Sequence, residues 1–282
     1  MRIANLSGRL TLILGERAVD VHDASGHRFP ADPQAIYEQW DEFRAWATEA
    51  DLGDAGHPYD AADLGAPAPA PRQLLAIGLN YREHVEEAGF TQPEGMPPVF
   101  TKFVSSITGP LSDVVLPEGG HTDWEVELVA VIGRTARRVR EADAWGHVAG
   151  LTVGQDLSER VLQMRGPAPQ FGLAKSYPGF SPMGPVLVTP DDFEDPDALE
   201  LTCSVNGEQV QRGSTRQLIL SVPALIARLS EVLTLLPGDV VYTGTPAGVG
   251  LGRTPQRWLR PGDELVSSIQ GIGELRQRML PA

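Results

Sequence analysis

Short aliphatic runs separated by glycine and proline dominate this chain, and that punctuation limits what it can fold into. There are 30 glycines and 24 prolines in 282 residues, a content too high for a helical bundle yet below the roughly 25–30% that marks low-complexity chains. Between the turn signals, residues 74–79, 125–132, 149–155, 185–188, 200–205, 240–243 and 264–269 are rich in β-branched and aliphatic side chains and read as strands. Asn206-Gly207, between CSV and EQV, is a hairpin turn, and two Pro-Gly-Asp triplets, at 237–239 and 261–263, each lead into a strand. One helix interrupts the pattern: Ser221 caps it, Pro223 opens it, and Leu225, Ile226, Leu229, Val232 and Leu233 form its apolar stripe. The spacing predicts a mainly β fold with some α.

The first 70 residues read differently. Leu10, Leu12 and Leu14 alternate with smaller residues between turns at Gly8 and Gly15, so residues 2–22 form short strands. A helix follows, with Asp32 as cap, Pro33 in its first turn and Ile36, Trp40, Phe43 and Ala47 on one face. The stretch GAPAPAPR, residues 65–72, favours extended polyproline geometry and reads as a linker. The expected organisation is a small α+β N-terminal domain over 1–70, the linker at about 65–72, and a larger β-rich domain over 73–282. No internal repeat is apparent.

Charge narrows the partners. With 37 acidic and 23 basic residues the net charge is -14, and no Lys/Arg cluster is present, which excludes a nucleic-acid partner held by counterion release. A small anionic ligand would need a local cation or a metal. Cys203 is the single cysteine, so no intramolecular disulfide can form, and it reads as a buried structural thiol in a reducing compartment. The apolar run at residues 10–14 is too short for a signal sequence or a membrane span, so a cytoplasmic protein with no membrane partner is expected.

Several residues could carry chemistry. In Trp124-Glu125-Val126-Glu127-Leu128 the two glutamates are two apart on a strand and leave the same face. That pattern fits a wet strand face; it fits a cation site as well, because the apolar run that follows is typical of a buried strand. Asp156 ends the next apolar run and offers a third oxygen ligand; it also begins the D-x-x-E spacing of a capping box with Glu159, and both roles are open. His84 and Glu87, at i and i+3, can form a water-activating dyad or an exposed pair. Lys175 is either a surface lysine or one that holds an anion. The loop TGTPAGVGLG, residues 243–252, lacks the Lys of a phosphate loop and no helix follows it, so its work is to bring backbone amides and the Thr245 hydroxyl to a ligand, or to turn the chain.

Eight stretches in this order, IGLNYREHVEE, FTKF, DWEVELVAVIG, GQDLSERVLQ, LAKSY, VNGE, ILSVPALI and LLPGDVVYTGTPAGVG, resemble the fumarylacetoacetate hydrolase family over about residues 72–273. The resemblance implies a β-roll catalytic domain, commonly dimeric, and a divalent ion, usually Mg²⁺ with Mn²⁺ or Ca²⁺ as substitutes, held by Glu125, Glu127 and Asp156. It implies that His84 and Glu87 activate water on a lid over residues 82 to about 96, that Lys175 faces the reacting carbonyl, and that Arg160, Gln163 and Thr245 contact the acid or keto oxygens of the substrate. Where full-length fumarylacetoacetases carry a further aspartate, this chain has Ile77, which matches the diketo-acid branch. The implied activity is metal-dependent cleavage of a carbon-carbon bond in a 2,4-diketo acid of the acylpyruvate type. Oxaloacetate decarboxylation, keto-acid isomerisation or hydration, and catalytically silent ligand binding are the alternatives.

Overall fold

The computed structural model describes residues 1–53, 55–87, 89 and 95–282. Two sheets organise them. The larger runs, in spatial order, through His57–Pro58, Arg17–Asp20, Arg9–Leu14, Arg2–Leu6, Ser181–Val188, Val148–Gln155, Val126–Ile132, Val240–Tyr242, Leu74–Ile77 and Val99–Thr101, with Leu64–Gly65 and Ile107–Thr108 attached at its side. The smaller runs through Glu208–Ser214, Glu200–Val205, Glu264–Ile269, Gly273–Leu280 and Leu111–Val115. The fold is mainly β, as the turn-punctuated runs predict.

Val126–Ile132 shows how the large sheet is held. All seven residues are buried, and alternate side chains enter two different apolar clusters. Val126, Leu128, Ala130 and Ile132 join the cluster that includes Leu201, Leu265 and Leu275 of the smaller sheet. Val129 and Val131 join a second cluster with Trp40 and Phe43. A strand covered on both faces has no room for an alternating polar pattern, which is why residues 128–132 read as continuously apolar. Trp40 and Phe43, 3% and 0% exposed, anchor the helix Trp40–Glu49 on the second face; burying each stabilises the fold by about 1.5–3 kcal/mol.

The N-terminal meander extends the large sheet through Arg2–Leu6, which pairs with Ser181–Val188. The segment at 65–72 carries no helix. It is packed: Ala66 and Ala68 are buried, and the Pro67 carbonyl accepts from the Tyr37 hydroxyl. Three local readings change. Asp32 accepts from the amide of Gln34, but a 3-10 turn at Ala35–Gln39 precedes the helix. Ser221 caps Val222–Val232 as expected, accepting from the Ala224 amide, yet Val232, the last residue of the helix, is 82% exposed, while Leu233 and Leu235 after it pack on the core. Leu14 likewise ends its strand exposed, beside the Gly15 turn. Of the lid expected over 82–96, Arg82–Glu87 is helical; residues 88 and 90–94 lie outside the described residues.

Candidate active site

Strand register builds the centre of the site. Val126–Ile132 pairs antiparallel with Val148–Gln155 so that Val126 faces Gln155 and Glu127 faces Gly154. One step further the Asp156 amide donates to the Glu125 carbonyl at 2.9 Å. Residues 125 and 127 share a face by strand periodicity, and 156 shares the corresponding face of its neighbour. The three carboxylates therefore converge, with one oxygen of each within 4.8 Å of the others. Position 154 has to be glycine, since a Cβ there would lie 2.4 Å from Val129 Cγ2 and 2.6 Å from the Tyr242 ring.

The carboxylates are buried, so each needs a partner. Lys175 Nζ donates to Glu125 Oε2 and Asp156 Oδ2, both at 2.6 Å. Arg160 donates from Nη2 to Glu125 Oε1 at 2.7 Å and from Nε and Nη2 to Asp123 Oδ2 at 2.9 and 2.7 Å, while its Nη1 reaches Gln163 Oε1. Lys102, which no spacing singles out, donates from Nζ to Asp156 Oδ1 at 2.6 Å and to the Phe180 carbonyl at 2.8 Å, over the Tyr242 ring. Asp123 is a second residue the spacing misses. It accepts from the amides of Gly250 and Leu251 as well as from Arg160. The cap of the turn Arg160–Gln163 is Glu159, whose carboxylate takes the Val161 and Leu162 amides; Asp156 is instead turned to the two lysines.

Charge is unevenly shared in this cluster. Burial alone would raise the Glu125 carboxyl, but Lys175 and Arg160 hold it well below the usual carboxylate range. Among the described residues no cation lies within ion-pair distance of Glu127, and Lys175 acts on it only from further off. Its Oε2 accepts the Gly244 amide at 2.7 Å, while burial and the neighbouring Asp156 and Glu125 charges push its carboxyl well above the usual range. Lys102 is pushed down by burial despite Asp156. In Lys175 the charges of Asp156 and Glu125 outweigh burial and raise it.

Above the cluster, His84 Nδ1 lies 3.4 Å from Glu87 Oε2 on the turn Arg82–Glu87. The glycine-rich loop fixes that dyad: the Gly248 amide reaches both Glu87 oxygens, at 3.0 and 3.1 Å. A Cβ at Gly252 would fall 2.4 Å from the Glu87 side chain, so a larger residue there would push the Glu87 carboxylate from its place. The loop amides thus serve the protein's own carboxylates, Glu127, Glu87 and Asp123. The Thr245 hydroxyl donates to the Val126 carbonyl and accepts from Gln211 Nε2. All nine residues singled out for chemistry line one cavity of about 390 Å³. Cys203 lies away from it, buried and pushed up to about 12 by that burial.

Three hard oxygen donors with no cysteine or histidine pair among them suit Mg²⁺ or Mn²⁺. Glu127, which has no ion-pair partner among the described residues, is the place where such an ion would relieve the crowding from Asp156 and Glu125. Residues 73–280 match the family described as fumarylacetoacetate (FAA) hydrolase C-terminal. The chain is 43% identical to human mitochondrial oxaloacetate tautomerase FAHD2A over 76% of its own length and 68% of that protein. It is 44% identical to 2,4-didehydro-3-deoxy-L-rhamnonate hydrolase of a Sphingomonas species, over 76% and 75%. A solved maleylpyruvate hydrolase from Sphingobium, in complex with manganese(II) and pyruvate, superposes over all of both chains with a TM-score of 0.81 at 30% identity. With that match, that identity and that superposition, the chain belongs to the fumarylacetoacetate hydrolase family.

Proposed function

We propose that this chain is a metal-dependent hydrolase that cleaves the carbon-carbon bond of a 2,4-diketo acid of the acylpyruvate type. The observation that carries the reading is the arrangement of His84–Glu87 and Lys175 around one cavity with the Glu125, Glu127 and Asp156 carboxylates. A divalent ion held by those three carboxylates would supply Lewis-acid polarisation of the substrate's C2 oxygen and offset its carboxylate charge. The protein's own groups do the rest. His84, oriented by Glu87, takes a proton from water as the oxygen adds to the C4 carbonyl. Lys175 donates to the oxyanion that forms. The C3–C4 bond then breaks, its electron pair passes to C3 as the pyruvate enolate, and the proton held on His84 is returned to that carbon. The products are a carboxylic acid and pyruvate. Arg160 and Gln163 hold the acid end, and Thr245 keeps the loop against the Val126–Ile132 strand.

A second reading has its own support in the 43% identity to an oxaloacetate tautomerase. Enol–keto exchange or decarboxylation of oxaloacetate needs the same carboxylate cluster but no attacking water. Incubating acylpyruvates and oxaloacetate with Mg²⁺ or Mn²⁺ and identifying the products separates them: hydrolysis releases pyruvate and the acid in equal amounts, whereas tautomerase or decarboxylase action alone leaves acylpyruvates intact. The working unit is proposed to be a cytoplasmic homodimer. Among the described residues, no helix is long and apolar enough to cross a membrane. Sedimentation showing only monomer at micromolar protein would remove the dimer.

A further inference from the structure

We infer that the substrate's acyl arm, the part beyond the cleaved bond, is a short uncharged apolar group and not a second carboxylate; this rests on the acylpyruvate reading above. The cavity is polar at one end and apolar along its walls. Phe100 begins the wall, its ring 5.3 Å from Lys175 Nζ and 5.2 Å from the ring of Phe171. Ile77, Leu79, Met164 and Leu251 complete it. Leu79 is held at φ 55, a left-handed conformation costly for a bulky side chain and characteristic of residues fixed at functional sites. The chain keeps an aliphatic group on this wall at that cost.

Among the described lining residues no lysine or arginine is free to receive a distal carboxylate. The two present there are Lys175 and Arg160. Lys175 already bridges two carboxylates and gives its remaining N–H to the oxyanion; Arg160, bound to Asp123, Glu125 and Gln163, gives its spare N–H to the substrate's own acid end, so neither offers a two-pronged face to a second carboxylate. The other charged lining groups, Glu87, Glu125, Glu127 and Asp156, are carboxylates and repel an anion. A carboxylate carried onto this wall would lose hydration with nothing in return, whereas a propyl or similar tail gains from burial. The same reasoning ranks oxaloacetate, whose distal group is a carboxylate, as a poorer substrate than a neutral acylpyruvate.

Butanoylpyruvate and succinylpyruvate have acyl arms of equal carbon count and differ in the terminal group, methyl against carboxylate. The inference predicts kcat/KM at least about tenfold higher for butanoylpyruvate, in the range a single mismatched pocket contact produces. Met164→Lys, at a position 64% exposed and so tolerant of change, should move that ratio toward succinylpyruvate by about tenfold by supplying a cation at the wall. Preference of the wild type for succinylpyruvate, or equal rates, would overturn the inference and leave acylpyruvate cleavage standing. Cleavage of neither compound would remove the acylpyruvate reading and this inference together. An unchanged ratio in Met164→Lys would show that the arm does not lie along this wall.

Discussion

Basic groups meet carboxylates in two very different regions of this molecule. On the smaller sheet, Arg278 and Arg276 on Gly273–Leu280 reach Asp113 and Glu264 on neighbouring strands at 2.8 and 2.7 Å, with side chains 43–67% exposed on the arginines. At the end of the large sheet, Arg160, Lys175 and Lys102 reach Asp123, Glu125 and Asp156 at 2.6–2.7 Å with every side chain at most 8% exposed. The distances are alike, and the consequences differ. Water and salt screen the first set, so it adds little to stability. The second set has given up hydration, and apolar residues of similar volume would serve the fold as well or better. Seven ionisable side chains are buried together there, Glu127 among them, and the proposed function gives that costly arrangement its reason.

The largest test of that contrast is Lys102→Met. It leaves Asp156 buried with only Lys175 and should lower the unfolding free energy by roughly 3–5 kcal/mol in metal-free buffer. Urea denaturation measures it, and a change under 1 kcal/mol would mean that the cluster is not desolvated. Next in size, His84→Ala should cut acylpyruvate cleavage by about 10² to 10⁴ while metal affinity and overall stability stay close to wild type. Oxaloacetate turnover, which needs no water, should fall much less, and Glu87→Gln should act in the same direction but more mildly. Kinetics on both substrates at saturating Mg²⁺ give the answer; unchanged hydrolysis in His84→Ala would assign water activation to another group. At the small end, Arg278→Met should not move the unfolding midpoint measurably. A clear drop there would erase the distinction between the two regions.

Much of this contrast can be read in the sequence, and the remainder has an identifiable physical reason for escaping it. Strand periodicity places Glu125 and Glu127 on one face, and the apolar run after them announces burial, because both signals are local. Asp156 is harder: its D-x-x-E spacing fits a cap equally well, and only the register against Val126–Ile132 turns it to the glutamates. Lys102 and Asp123 are illegible by spacing. Lys102 lies 54 residues from Asp156, and Asp123 gathers amides from 250 and 251 across 127 and 128 residues. The one hint for Lys102 is its place between aromatics in FTKF, where a charge has no local partner. Val232 fails differently: it stands at the last position of its helix, where the side chain points to solvent.

The central claim is that the buried carboxylates hold a divalent ion on which the chemistry depends, and the most direct test follows binding and turnover together. Mn²⁺ is titrated by calorimetry into chelator-treated wild type and Glu127→Ala, and butanoylpyruvate cleavage is measured at each point. The wild type should bind about one ion per chain and gain activity in proportion, while Glu127→Ala should bind at least about tenfold more weakly and stay inactive where the wild type is saturated. Full turnover by the wild type in excess chelator, or equal Mn²⁺ affinity in the two proteins, would contradict the account.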